Sequence, residues 1–276
     1  MKERFYGRVE QTAADDAVMR QAEEVAIRGF TVLEGLYDAE ALAAWRERID
    51  SAYAEQEREF GRDALAAIQD LDVCRAPLLR DPAFIDLASH PRVMALVGHL
   101  LGEWFILNLQ NAIINRPDRA HHQSSWHRDL PYQNWVVSTP LAINALFAID
   151  DFSPDTGGTH LVPYSHRAAI LPSDAYIDAN RLVPTVPAGS AIVFDSMLFH
   201  RGGTNRSAGI RRGVNHLYTI PIMKQQYDFP RALGAVADMP PAVARLLGYT
   251  SQVPLDDRQW RQARQARLAG AQGGAA

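Results

Sequence analysis

A histidine and an aspartate two residues apart, His127 and Asp129 in Gln123-Ser-Ser-Trp-His-Arg-Asp, could grip one metal ion between them. Far along the chain come a second histidine, His200, ending Phe194-Asp-Ser-Met-Leu-Phe-His, and then Arg211. Two imidazoles and one carboxylate form the 2-His-1-carboxylate facial triad, which binds non-haem Fe(II) and leaves positions open for reactants. Residues i and i+2 of an extended strand point to one face, so His127 and Asp129 can share an ion while Arg128 turns away. His200 supplies the third ligand. A buried guanidinium needs an anion, and its fork fits a carboxylate in bidentate fashion. With the metal at one end of a dicarboxylate and Arg211 at the other, the co-substrate that fits is a 2-oxo acid with a distal carboxylate, 2-oxoglutarate. His127, Asp129, His200 and Arg211 therefore form the catalytic set.

A lone His-x-Asp is a weak signal. His127 read alone is an ordinary strand-end histidine, and Asp129 a turn residue before Pro131. The distant His and Arg give the pair weight because all four residues answer one chemical need. The His121-His122 pair competes for the metal, but it follows Pro117-Asp118-Arg119 in a polar loop and reads as solvated.

Strands must deliver these side chains. Residues 191–200 predict a strand that His200 closes. With a loop through Gly202 and Gly203 and the run 211–220, they predict a hairpin that sets Arg211 beside His200. Residues 104–115 alternate polar with apolar. Asn108, Gln110 and Asn115 are expected on one face and Asn111 on the other, which suits either a wet pocket or a solvated edge strand. Residues 140–149 read as a buried strand, 159–162 as a short one, and 187–190 as a tight turn.

Upstream, residues 12–28 predict a helix capped by Thr12, with Asp15 and Asp16 in its first turn and Gly29 as its stop. Residues 30–33 are a short strand. Asp38 caps a second helix, whose Leu42, Trp45, Ile49 and Tyr53 recur as a packing stripe. Residues 55–70 are charged and weakly patterned and read as a flexible loop or lid. Pro82 and Pro91 open two further helices, the second ended by Gly102. Residues 168–182 are an irregular or helical insertion. Residues 257–268 are a basic, Gln-rich helix, and 269–276 a disordered tail.

Helices followed by many short strands and a helical end predict a mainly β fold with flanking helices. The expected form is a jelly-roll, cupin-like barrel packed against N-terminal helices, its mouth a natural metal pocket. One domain, 1–268, comprises a helical part (12–102), the jelly-roll core (103–222) and a helical C-terminal part (223–268).

Composition narrows the function classes. Of 276 residues, 47% are hydrophobic and 22% charged, which fits a globular chain with a substantial core. The net charge of −4 argues against a nucleic-acid surface. Cys74 is the single cysteine, which excludes an internal disulfide or a Cys-rich metal site and suits a cytoplasmic protein. The opening residues lack a signal peptide's apolar stretch, and no run reaches the ~18 apolar residues of a membrane span.

Three stretches carry a family resemblance: Gln123 to Asp129; Thr156-Gly-Gly-Thr-His-Leu-Val-Pro-Tyr-Ser-His-Arg; and Gly189-Ser-Ala-Ile-Val-Phe-Asp-Ser-Met-Leu-Phe-His-Arg-Gly-Gly-Thr-Asn-Arg-Ser with Arg211. The chain resembles the bacterial branch of the phytanoyl-CoA dioxygenase family of Fe(II)/2-oxoglutarate-dependent oxygenases, from about residue 20 to 250. The resemblance implies a double-stranded β-helix, iron held by His127, Asp129 and His200, and Arg211 on the 2-oxoglutarate tail. It also implies Thr159, Gln110 and Asn144 near the co-substrate. Tyr164 departs from the glycine usual in the Pro-Gly-Ser-His turn, and Ser165 and His166 read as structural. Halogenating relatives carry a small residue in place of the carboxylate; Asp129 favours hydroxylation.

The implied reaction uses Fe(II), 2-oxoglutarate and O2 to oxidise a C–H bond, with release of succinate and CO2. Tyr132, Gln133, Trp135, Asn108, Met223, Gln225 and Gln226 are candidate pocket residues. Mostly neutral, they suit a small polar metabolite or natural-product intermediate. An acyl-CoA would need Arg116, Arg119, Lys224 and Arg231 gathered by the fold. Desaturation, epimerisation or cyclisation would use the same site. Two rival classes are a non-catalytic metal-binding cupin-like protein and a zinc hydrolase with an activated water. Neither has a use for Arg211.

Overall fold

The computed structural model describes residues 13–118, 122–130, 133, 135–236 and 238–273. The first helix, α1 (Ala17–Arg28), starts where the Asp16 carboxylate accepts from Met19 N, and ends at Gly29, whose φ of 90° suits a residue without Cβ. Thr12, the expected cap, lies outside the described residues. Next come β1 (Phe30–Leu33) and α2 (Ala39–Phe60), capped by Asp38 as expected. The expected loop or lid at 55–70 is instead the end of α2 and a further helix, α3 (Arg62–Ala67). The charges there sit on exposed helix faces, where Arg80 reaches Glu55 and Glu59 and Arg62 reaches Glu57. Gln56 anchors the buried side by bonding both the N–H and C=O of Arg75.

The chain continues through β2 (Val73–Arg75), α4 (Ala83–Ala88), α5 (Pro91–Leu101), β3 (Ile106–Asn115), β4 (Ala142–Ala148), β5 (His160–Leu161) and α6 (Asp174–Asn180). After these come β6 (Ser190–Asp195), β7 (His200–Arg201), β8 (Arg211–Thr219), α7 (Phe229–Leu233), α8 (Pro241–Leu246) and α9 (Asp257–Gly273). The end of α9 runs past Ala269, where a tail was expected; residues 274–276 lie outside the described residues. Among the described residues, no helix is long and apolar enough to cross a membrane.

Six strands form an antiparallel sheet in the order β1-β6-β4-β8-β3-β2, and β5 with β7 forms a second, small sheet. The two face each other as a jelly roll whose large sheet stays open at both edges. The helices cover one face of the large sheet, over a core that includes Trp45, Phe84, Leu96, Phe147 and Tyr218. Between the sheets lies a smaller core with Phe30, Ile113, Phe152, Leu161 and Phe194.

The expected strand over 191–200 divides in two. The Asp195 carboxylate accepts from Met197 N, and its carbonyl accepts from Leu198 N. That turn lifts the chain out of the large sheet and into the small one. The expected hairpin is therefore absent: β8 pairs with β3 and β4, whereas β7 pairs with β5.

Buried His216 on β8 links neighbouring strands of the large sheet on its helical side. Its Nε2 lies 2.8 Å from Gln110 Nε2 and its Nδ1 faces the Ala145 carbonyl. A neutral ring with the proton on Nδ1 satisfies both contacts; a second proton would oppose the Gln110 amide. Burial pushes its pKa down to about 3. The unfolded imidazole titrates near ~6.5, so below that pH the unfolded chain takes up a proton that the folded chain refuses. Stability from this group is full above the unfolded pKa and falls as pH drops towards the folded one. Thermal melting at pH 7 and pH 5 should show a larger drop for wild type than for His216→Gln.

Candidate functional site

His127 and His200 are brought together by backbone pairing. Each donates its N–H to the other's carbonyl, at 3.0 and 3.1 Å, and Asp129 N donates to Ser196 O. Arg128, turned away as expected, reaches the carbonyls of Met197, Ala168 and Ala169, with its guanidinium 3.8 Å from the Phe199 ring. It thereby ties the His127–Asp129 segment to the turn that leads into His200.

The two imidazoles are oriented alike. His127 Nδ1 lies 2.8 Å from Ser125 O, and His200 Nδ1 lies 2.9 Å from Leu198 O. A proton on each Nδ1 leaves both Nε2 lone pairs free for a metal. Burial pushes the His200 pKa down, against the pull of Asp129, which keeps the ring neutral. Asp129 Oδ1 sits 3.6 Å from each Nε2. Ligand atoms ~2.1 Å from one ion can be at most ~4.2 Å apart, so each of these contacts fits a shared ion. Among the described residues, this trio is the group of His, Cys, Asp or Glu side chains placed to hold a metal.

The same cavity holds Arg211 and Thr159, with Ile113, Leu146 and Phe194 as apolar wall. Arg211 opens β8 opposite Asn115 and is 4% exposed. Its Nη2 donates to Gly157 O at 2.5 Å, its guanidinium lies 4.5 Å from the Phe152 ring, and its buried Nε has no partner. Burial pushes its pKa down to about 10, which still leaves it charged at neutral pH. A buried cation with an unused donor, facing a cavity, calls for an anion. Two glycines let the backbones at 157–158 and 203 pack against each other beside the cavity. A Cβ on Gly157 (φ 73°) would lie 2.6 Å from Gly203 O, and one on Gly203 would lie 2.6 Å from Gly158 O.

The other expected positions divide. Asn144 meets the site through Asp129, donating to its Oδ2 at 2.5 Å. Gln110 stands apart from the cavity. It points to the helical side of the large sheet, where it bonds Leu78 N, Phe84 O and His216. The expected β3 face is thus split: Asn115 lines the cavity with Ile113, whereas Gln110, five residues earlier, lies on the opposite face, as strict alternation requires. Ser165 and His166 are structural: Ser165 Oγ accepts from Phe199 N, and His166 Nε2 approaches Ala26 O.

Several candidate pocket residues serve the fold. Asn108 and Gln225 fasten the segment after β8 to β3, through Lys224 O, Gln226 N and Leu107 O. Met223 packs against an apolar cluster with Leu130 and Leu217. Gln133 is buried and donates to Trp135 O, and Trp135 is half exposed. Tyr132, Arg119 and His121 lie outside the described residues. Arg116 pairs with Asp72. Asn215 and Ser196, which the sequence did not flag, complete the surroundings of Asp129. Their only sequence signal was a polar residue inside an apolar strand or at its end.

Comparisons with known proteins bear on family and fold. The phytanoyl-CoA dioxygenase (PhyH) family model matches residues 27–213. An uncharacterized protein of Mycobacterium tuberculosis is 38% identical over 238 residues, covering 82% of this chain and 84% of that protein. The dioxygenase olcK of Penicillium canescens is 28% identical over 177 residues, covering 59% of this chain and 56% of that protein. Among solved structures, the epimerase SnoN in complex with Fe3+, alpha ketoglutarate and nogalamycin RO superposes with a TM-score of 0.58 at 18% identity. The match covers 81% of this chain and 91% of that one.

Proposed function

The chain belongs to the phytanoyl-CoA dioxygenase family, and from that premise we propose that it is an Fe(II)- and 2-oxoglutarate-dependent dioxygenase that hydroxylates a C–H bond of a small polar metabolite or natural-product intermediate. The observation that carries this reading is one cavity holding both the His127–Asp129–His200 trio and the unpartnered Nε of Arg211. A structural metal site has no use for a buried cation one cavity-width away, and neither does a zinc hydrolase. Iron held there supplies, with 2-oxoglutarate and dioxygen, the oxidising chemistry, releasing succinate and CO2.

The chain's own groups position and shield. His127 and His200 offer Nε2, and Asp129 offers Oδ1. The Arg211 guanidinium takes the distal carboxylate of 2-oxoglutarate, with Thr159 on the same wall. Ile113, Leu146 and Phe194 keep water from the region between Arg211 and the metal trio. Epimerisation is the second reading, favoured by the likeness to SnoN, and it would use the same residues. A cytoplasmic setting suits a chain whose single cysteine, Cys74, is buried.

Incubation with Fe(II), 2-oxoglutarate and 18O2 tests the class without knowledge of the substrate. Succinate carrying one 18O atom is expected. Succinate free of the label, or a protein that neither consumes nor binds 2-oxoglutarate, would overturn the reading.

A further inference from the structure

Asp129 is gripped from the side away from the imidazoles. Oδ1 is the atom 3.6 Å from both Nε2 atoms. Oδ2 instead accepts two amide bonds, from Asn144 Nδ2 at 2.5 Å and Asn215 Nδ2 at 3.1 Å. The amides are themselves fixed. Ser196 Oγ donates to Asn144 Oδ1 at 2.6 Å, and Asn144 Nδ2 also donates to Asn215 Oδ1 at 3.1 Å. Turning the Asn144 amide over would set its oxygen against the carboxylate. The β4–β8 register makes this possible: Asn144 pairs with Leu217 and Leu146 with Asn215, so the two asparagines are diagonal neighbours on the cavity face.

We propose that Asn144 and Asn215, backed by Ser196, are positioning residues that make Asp129 a one-oxygen ligand. The inference rests on the dioxygenase reading above. Two imidazoles and one carboxylate oxygen fill three positions of an octahedral ion and leave three. A 2-oxo acid bound through two atoms, plus dioxygen, needs all three. A carboxylate clamping with both oxygens would take one of them. Two hydrogen bonds to an anion hold Oδ2 back, and both must break before it can swing onto the metal.

Anaerobic titration with Fe(II) alone, and the visible absorption of the Co(II)-loaded protein, read this directly. Asn215 is half-buried and borders the cavity, so Asn215→Leu removes a donor at nearly constant size. It is expected to weaken Fe(II) binding about tenfold, the range typical of partners that orient a metal ligand. The Co(II) bands should shift with the changed coordination, whereas a merely structural role would lower the melting temperature and leave the bands unmoved. Ser196→Ala, which frees Asn144, should move the bands the same way and by less. It serves as the readout if the fully buried Asn144 tolerates no substitution. Wild-type Fe(II) affinity and an unshifted Co(II) spectrum in both variants would overturn the cradle alone. A wild-type protein that binds neither Fe(II) nor 2-oxoglutarate would overturn the dioxygenase reading beneath it.

Discussion

Asp129→Ala should lower Fe(II) affinity by more than about 100-fold, beyond the ~10–100-fold that loss of a partner behind a ligand costs. The substitution removes the anion of the trio and leaves two neutral imidazoles to hold a dication. It also strands the Asn144 and Asn215 amides, both aimed at Oδ2. Succinate formation should stop with it. Anaerobic calorimetry with Fe(II) checks the first effect, and mass spectrometry of succinate the second. Undiminished Fe(II) binding by Asp129→Ala would remove the carboxylate from the ligand set.

Arg211→Met should separate the two halves of the cavity. Hydrogen bonds to a charged group are worth about 1.5–3 kcal/mol each, so losing a bidentate pair raises the dissociation constant for 2-oxoglutarate on the order of 100-fold. Fe(II) binding should be unchanged, because Arg211 lies outside the ligand trio. Stability should move the other way. Arg211 is buried, its Nε is unsatisfied, and its protonation is disfavoured by burial. Replacing a poorly compensated buried charge with an apolar side chain is commonly neutral or stabilising. The metal-free variant is therefore expected to melt no lower than wild type. Equal 2-oxoglutarate affinity in variant and wild type would detach Arg211 from the co-substrate.

The chemistry of the site was legible from residue type because His127, Asp129, His200 and Arg211 are scarce kinds of side chain answering a single need. How they come together was not. His200 reaches His127 because the Asp195 turn carries it out of the large sheet, and nothing in an apolar run shows where it will break. Arg211 reaches the cavity by pairing with Asn115 on β3, not through a hairpin with β7. Gln110 illustrates a second limit. Alternation separates Gln110 from Asn115, which were expected together, and does not say which face meets the helices; Gln110 lies with Ala112 and Ile114 on the helical side.

Asn215 and Ser196 gained meaning only from tertiary pairing, since each acts through a neighbour distant in sequence. The helices show the converse. Asp38 and the Leu42–Trp45–Ile49–Tyr53 stripe are local signals and held, whereas residues 55–70 hid a helix because their charges pair outward with Arg80 and Arg62.

The most direct test is anaerobic titration of the Fe(II)-loaded wild-type protein with 2-oxoglutarate, followed by visible absorption. Chelation of a 2-oxo acid by ferrous iron produces a charge-transfer band. The expected result is a band that saturates at one equivalent, is absent from Asp129→Ala, and needs far more 2-oxoglutarate in Arg211→Met. A wild-type protein that takes up Fe(II) but yields no band at any 2-oxoglutarate concentration would contradict the assignment of this cavity to that co-substrate.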